Sequence, residues 1–463
     1  MTEFNILDYG AAGDSRQDDA SAIQKAIDAC SAYGGGRVIV PAGRVFLSGP
    51  FNFKSNVEFY LERGTKIIAN PDENVYTESA FKDNRSEGTI WIGGKHAENI
   101  SIIGGGQIDG QGAAFMDGED AAAFKLKPVT DFDPRPHLLT LVGCKNITIR
   151  DVTFKNSAYW CLHLAGCQDV LIHGIRILNN LKIRNGDGID PDHCRNVRIS
   201  DCHIESGDDC ICLKNRREYA EFGPCENITV TNCTMISTSC AIKLGSENVD
   251  AIRNVVFNNC VIASSNRGIG IQHRDEGSVE NILFSNMLIE SRLFDDVWWG
   301  KAEPIYITTF NRNTDAPHRY PADGRQRPVG QVKNIRFSNI VCKSESGVYI
   351  SGSQHTQPEK IVLDQVELEI NKWTRHPGGW YDRRPCDVQG LIERPIAGFK
   401  LNQANDITLR NCRITWGENR PEYYGSAVDA NQVENLKIEN FAGAAAFPEQ
   451  NRAIQIHPAK GES

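Results

Sequence analysis

The chain has no long apolar run, no stretch of concentrated basic charge and no cysteine pair at the spacing of a zinc site. The first absence leaves no membrane-spanning helix to read. The second, with a formal charge of −9, argues against a nucleic-acid partner. The third, which holds for Cys210-x-Cys212 as for the rest, argues against a structural metal. The N-terminus, Met-Thr-Glu-Phe-Asn-Ile, has no basic and apolar secretion signal. Five Asn-x-Ser/Thr sequences at Asn84, Asn99, Asn146, Asn227 and Asn232 stand beside abundant thiols, a combination that fits a reducing, unglycosylated setting. A bacterial cytoplasm is the expectation, and a secreted form whose leader has been removed is the alternative.

What the chain has is a repeat. Asn-Val-Arg-Ile-Ser-Asp-Cys from Asn196 returns as Asn-Ile-Thr-Val-Thr-Asn-Cys from Asn227, Asn-Val-Val-Phe-Asn-Asn-Cys from Asn254 and Asn-Ile-Leu-Phe-Ser-Asn-Met from Asn281, at spacings of 31, 27 and 27 residues. Weaker copies begin at Asn56, Asn99, Asn146, Asp169, Asn334, Asp406 and Asn435. A period of this length marks a solenoid. Each copy alternates apolar with polar or small residues and is rich in Val, Ile, Thr and Phe, which is strand chemistry. No amphipathic helix of ten residues lies between copies, so each repeat reads as three short strands. The expectation is an all-β chain forming a single right-handed parallel β-helix of roughly ten coils and one domain, residues 1–463, with identical side chains stacked in columns and the leading asparagines as one ladder. Ile23, Ala26, Ile27 and Cys30 follow helical spacing within 19–33, ahead of Gly34-Gly35-Gly36, and predict a helix capping the first coil. Long departures from the register at 111–136, 292–329 and 371–395 predict insertions walling a cleft.

The fifteen cysteines also obey the register. Cys202, Cys233, Cys260 and Cys412 share a position with Met287 and Ile340, while Cys144, Cys167, Cys194 and Cys225 share another. Residues that exchange with Met and Ile are packing groups. Counting on from the first cysteine column superposes Asp208 with Ser239 and Asn266, Asp209 with Cys240 and Arg267, Cys212 with Lys243 and Gly270, and Lys214 with Gly245 and Gln272. The Ile and Leu columns between them point inward, so by alternation the columns containing Lys214 and Lys243 point outward, on the strand face that begins with the aspartates.

Asn185-Gly-Asp187-Gly-Ile-Asp190 followed one coil later by Gly207-Asp208-Asp209-Cys210 resembles the polygalacturonase family of inverting glycoside hydrolases, glycoside hydrolase family 28. Phe4-Asn-Ile-Leu-Asp-Tyr-Gly-Ala-Ala-Gly-Asp14, Gly34-Gly-Gly-Arg-Val-Ile-Val-Pro41 and Trp160-Cys-Leu-His163 extend the resemblance over nearly the whole chain. It implies Asp208 as the general acid, Asp187 and Asp209 as the bases that activate water, no cofactor, and a pectic oligosaccharide or polysaccharide as the partner. Carboxylates crowded on stacked coils cannot all ionise easily, so one retains a proton while the others stay charged. Asn185, Asp190, His163, Lys214, Lys243, Arg267, Gln272, His273 and Tyr306 are the expected substrate-binding groups.

Two family features are missing. Ser239-Cys240-Ala241 stands where the family has Gly-His-Gly, and Gly270-Ile271-Gln272 stands where its Arg-Ile-Lys grips a galacturonate carboxylate. Either the sugar beside the scissile bond is neutral, as in rhamnogalacturonan, or the cation has moved, with Lys243 the first candidate. Aromatic and basic residues of the insertions, among them Trp298, Trp299, Arg312, His318, Trp373, Trp380, Tyr381, Arg383 and Arg384, suit sugar faces and acidic substituents, although packing the insertions onto the solenoid is the expected role for most of them. An enclosed groove favours chain ends or short oligosaccharides. The alternatives are a carbohydrate-binding β-helix without activity, which has no need of three crowded carboxylates, and a polysaccharide lyase, in which Lys214 or Lys243 would serve as the base. The linkage, endo or exo attack, and the oligomeric state are left open by the residues.

Overall fold

The computed structural model describes residues 1–81, 88–127, 133–312 and 327–457. The chain divides into two compact units, Met1–Ile211 with Glu221–Gly223, and Cys212–Ala220 with Pro224–Ser463. His318 and the middle portions of the first two insertions lie outside the described residues.

In the first unit each turn of chain contributes three short parallel strands. Thr89–Lys95, Pro136–Val142, Leu162–Ala165 and Ile189–Asp192 follow one another along one face, Glu98–Gly104, Lys145–Arg150, Gln168–His173 and Arg195–Ser200 along a second, and Gln107–Asp109, Thr153–Lys155, Arg176–Leu178 and His203–Ser206 along a third. Period-two alternation turns every second residue inward, so register partners stack as columns. Ile92, Leu139, Leu162 and Ile189 form one such column, at most 1% exposed. Burying each such side chain contributes about 1.5–3 kcal/mol. The expected helix spans Ala20–Ala32; its Ile23, Ala26, Ile27 and Cys30 are fully buried against the strands Glu3–Asn5, Gly36–Val40 and Phe51–Phe53. It stops where Gly34 and Gly35 take φ of 100° and 127°, backbone that glycine adopts without steric cost.

The second unit repeats the plan with longer strands: Ser278–Ser291, Val332–Ser344, Glu359–Ile370 and Phe399–Arg410 run through what are separate strands in the first. Phe257, Phe284 and Phe337 stack in one inward column with ring centres 5.2 and 5.0 Å apart. The strands Cys240–Asn248 and Arg267–His273 pair as the register predicts, Ile242 with Ile269, Lys243 with Gly270, Leu244 with Ile271 and Gly245 with Gln272. The third insertion folds an antiparallel ribbon, Trp380–Asp382 against Leu391–Glu393. In the first unit the described part of the first insertion does the same, Met116–Glu119 against Phe124–Leu126.

The asparagine ladder exists in both units. Asn99 Nδ2 donates to Asn56 at 2.8 Å and Asn146 to Asn99 at 2.8 Å; Asn254 donates to Asn227 at 3.2 Å and Asn334 to Asn281 at 2.7 Å. Every ladder residue from Asn56 to Asn435 has φ between 52° and 64°, the left-handed region in which asparagine and aspartate are enriched. A second ladder five residues on, including Asp201, Asn232, Asn259, Asn286 and Asn339, shares that conformation. All fifteen cysteines are free and buried, as packing groups are.

Candidate active site

In the first unit the turn after Arg176–Leu178 and the turn after His203–Ser206 carry the aspartate motifs, and glycine lets them meet. A Cβ on Gly188 would lie 2.4 Å from the Cys210 carbonyl oxygen, and one on Gly207 2.2 Å from that of Ile183. Hydrogen bonds then lace the turns. The Asn185 amide donates to Asp208 Oδ2 at 3.0 Å, the Asp208 amide to Ser206 Oγ at 3.2 Å, and Ser206 Oγ to the Gly186 carbonyl at 2.5 Å. Gly188 N donates to the Asp209 carbonyl at 2.8 Å and Cys161 N to that of Asp187 at 2.9 Å. Asn179 Nδ2 closes the loop on the Gly186 carbonyl at 3.0 Å. Asp187, Asp190 and Asp209 are buried, while Asp208 is half-buried and therefore the most accessible of the four. A carboxylate oxygen of Asp187 lies within 4.8 Å of one of Asp190.

His163 is the register partner of Asp190. Its Nε2 lies 3.3 Å from Asp192 Oδ2, both side chains fully buried, and its ring belongs to a cluster with Phe81, His137 and Trp160. Repeat spacing gives no sign of Arg135, at the end of the first insertion. It is 4% exposed, forks onto Asp133 at 3.1 and 2.8 Å, and reaches the Arg184 carbonyl at 2.8 Å and Asn185 Oδ1 at 3.2 Å. Its guanidinium covers the Tyr159 ring at 4.6 Å. Arg135 therefore orients the residue whose amide holds Asp208. No repeat position marks it, because it lies in an insertion.

The second unit holds the other expected groups. Lys214 is buried with Nζ 2.9 Å from Cys212 Sγ, and Lys243 is half-buried. Arg267 lies 3.8 Å above the Tyr306 ring centre, pairs with Glu303 at 3.3 Å and donates to the Asp382 carbonyl at 2.6 Å. Burial opposes its charge, and Glu303 with its other acidic neighbours outweighs burial and raises its pKa. Burial likewise raises the pKa of Tyr306 against the pull of Arg267 and Arg274. Gln272 donates to the Arg384 carbonyl. His273 Nε2 is 2.9 Å from the Gly277 carbonyl and its Nδ1 3.4 Å from Asn248 Nδ2, which fixes one neutral tautomer; burial lowers its pKa to about 4. Arg267, Gln272 and His273 thus spend these bonds inside the protein. Arg312 takes the packing role: it pairs with Asp275 at 3.1 Å and donates to the Ser246 carbonyl at 2.9 Å, itself 1% exposed.

Comparison with known proteins identifies the family and the fold. The family model for glycosyl hydrolases family 28 matches residues 30–376. A probable polygalacturonase of Vitis vinifera is 32% identical over 268 residues, 54% of this chain and 52% of that protein, so the match spans about half the relative's length. An exopolygalacturonase from Thermotoga maritima is 26% identical and superposes with a TM-score of 0.65 over 80% of this chain and 87% of its own. A family 28 exopolygalacturonase of Yersinia enterocolitica shares the fold at 18% identity, with a TM-score of 0.68 over 96% and 78% of the two chains. The fold class is the right-handed parallel β-helix expected from the repeat.

Proposed function

The chain belongs to glycosyl hydrolases family 28, and we propose that it hydrolyses pectic oligosaccharides with inversion at the anomeric carbon, using Asp208 as general acid and Asp187 and Asp209 as bases. The observation that carries this reading is the lacing of the two aspartate turns in the first unit, above all the 3.0 Å bond from the Asn185 amide to Asp208 Oδ2. It fixes the carboxyl group of the most accessible of the aspartates, which as general acid carries a proton. Asp208 delivers that proton to the glycosidic oxygen as its bond to the anomeric carbon breaks. A water that gives up a proton to Asp187 or Asp209 forms the new bond from the opposite face. Asn185, Asp190 and His163 frame the site; Arg135 and Asp192 position them.

Attack at chain ends is the mode we favour, because the Thermotoga maritima relative that matches 80% of this chain is an exopolygalacturonase. Fifteen buried free thiols support a reducing compartment, where the substrate would be a short imported fragment; cell fractionation checks this. The catalytic test is Asp208→Asn, which keeps size and hydrogen bonding but removes the transferable proton. General acid catalysis contributes typically about 10²- to 10⁴-fold, so kcat on a digalacturonate-type substrate should fall by at least that range. The first-formed reducing end should have inverted configuration by NMR. Near-full turnover in Asp208→Asn, or an unsaturated product absorbing in the ultraviolet, would refute the assignment.

A further inference from the structure

The strand Arg267–His273 and the residue after it grip four consecutive carbonyls of the third insertion. Arg267 Nη2 donates to the carbonyl of Asp382 at 2.6 Å, Arg274 Nη2 to Arg383 at 2.7 Å, Gln272 Nε2 to Arg384, and Arg274 Nε to Pro385 at 2.5 Å. Buried carbonyls need donors, and here the donors fix a segment that would otherwise have no register. Gln272 stands where the family's carboxylate-gripping lysine is missing, and its side chain anchors the backbone of an arginine.

That arginine is built for presentation. Arg384 Nε and Nη2 fork onto Asp382 at 3.0 and 2.7 Å, and its amide donates to the same carboxylate at 2.9 Å. Asp382 is fully buried and also accepts from Gly300 N at 3.0 Å, so one carboxylate fixes both Arg384 and the residue after Trp299. Burial pushes the Asp382 carboxyl up, and the Arg384 fork and the Arg267 charge outweigh it, leaving it below its usual value. The Arg384 side chain stays 28% exposed, and its Nη1 has no hydrogen-bond partner among the described residues. Its guanidinium carbon is 5.6 Å from the ring centre of Trp299, which is 44% exposed. Around this pair the guanidinium groups of Arg267, Arg274, Arg383 and Arg384 outnumber the carboxylates of Glu303 and Asp382. Among the described residues Arg274 donates to carbonyls and a hydroxyl, and Arg383 Nε to Tyr349 Oη at 2.8 Å, so these bonds leave the positive excess in place.

We propose that Arg384 and Trp299 form a uronate subsite in the second unit, the ring taking the apolar face of the sugar and Arg384 Nη1 its carboxylate. This rests on the pectic reading and sharpens it: the cation missing from Gly270-Ile271-Gln272 is supplied by the insertion that Gln272 anchors. An exposed indole beside a forked guanidinium suits this ligand, because the ring stacks on C–H groups while the guanidinium pairs with an anion. A neutral sugar would use only half of it.

The test is calorimetric binding of digalacturonate and its methyl ester to full-length Asp208→Asn protein, which turns over slowly. Hydrogen bonds involving a charged group are worth about 1.5–3 kcal/mol, so the acid should bind roughly 10- to 100-fold more tightly than the ester. In Arg384→Gln on that background the acid-over-ester ratio should collapse towards unity. In Arg384→Lys it should fall by several-fold without vanishing, since the charge survives and the fork does not. In Trp299→Leu both ligands should weaken alike. The ratio is taken within one protein, so general damage to the fold leaves it at the parent value. A parent without preference for the acid, or a ratio unchanged in Arg384→Gln, overturns the subsite. Failure of the wild-type protein to cleave any pectic fragment overturns the catalytic reading instead, and the ratio still decides the subsite.

Discussion

Replacing Arg267 by Met tests whether this arginine is a structural clasp or a substrate ligand. Arg267 is 4% exposed and its partner Glu303 fully buried. Met keeps much of the aliphatic bulk and removes the guanidinium with its three engagements: Glu303 at 3.3 Å, the Asp382 carbonyl at 2.6 Å and the Tyr306 ring at 3.8 Å. The stranded Glu303 would keep one bond, from Lys301 N at 2.8 Å to the same oxygen, while its Oε1 has no hydrogen-bond partner among the described residues. Breaking a buried ion pair from one side costs about 3–5 kcal/mol, because a charge is left in low dielectric. The loss should therefore be near ~4 kcal/mol, read by urea unfolding followed with circular dichroism. Arg267→Met with Glu303→Gln removes the stranded charge and should recover about half of it, a coupling well outside the roughly 0.5 kcal/mol of independent sites. A loss under about 1 kcal/mol for Arg267→Met, the range of an exposed pair, or strict additivity in the double variant, would refute the clasp and return Arg267 to the substrate.

Two further outcomes follow from single positions. His273 has a folded pKa of about 4 against about 6.5 unfolded; because the folded value is the lower, its contribution is complete above about pH 6.5 and is lost as pH falls towards 4, for about 3 kcal/mol in total. His273→Gln should flatten that part of the unfolding pH profile relative to wild type, and an unchanged profile would contradict a neutral, buried His273. Asn254 has φ of 56° and bonds Asn227 and Asn281 at 3.2 and 3.4 Å. Asn254→Ala should cost about 1–2 kcal/mol and Asn254→Gly less, since only Ala adds left-handed strain; equal losses by thermal unfolding would remove strain as the reason for the ladder.

The solenoid is legible in the sequence because its physics is periodic. Stacked coils put like residues in contact, so Ile242 over Ile269 and Leu244 over Ile271 follow from counting along the chain from the cysteine column. The ladder asparagines read as hydrogen-bonding groups; their left-handed backbone adds the reason that Val or Ile never takes the position. The second ladder is harder to see, because Asn232, Asn259 and Asn286 look like ordinary turn residues ahead of the cysteine column. The helix at Ala20–Ala32 is legible from apolar spacing. The aspartate turns are legible as a motif, but the glycines' role is purely spatial: nothing in the spacing says that Gly207 must pass within contact of Ile183. Arg135, Trp299 and Arg384 belong to insertions, which have no register, so their partners cannot be counted.

Outward alternation is also where the repeat stops short for Arg267 and Gln272. Period two places Gln272 on the outer face, out of phase with the inward Ile269 and Ile271, while Arg267 stands at the first position of the strand; a polar residue in either place is ordinarily met by water. Here the third insertion is what they meet, and each side chain ends on a carbonyl of 382–385. The exchange has a physical logic. A cation projecting directly from a coil is confined to the strand spacing, whereas an arginine on an anchored loop is placed by whichever donors hold the loop. Substituting Gln272 should therefore act through Arg384, altering the preference for acid over ester without itself touching the sugar. Specificity can then drift by changes in the insertion while the strand register and the Asp187–Asp208–Asp209 turns stay as they are.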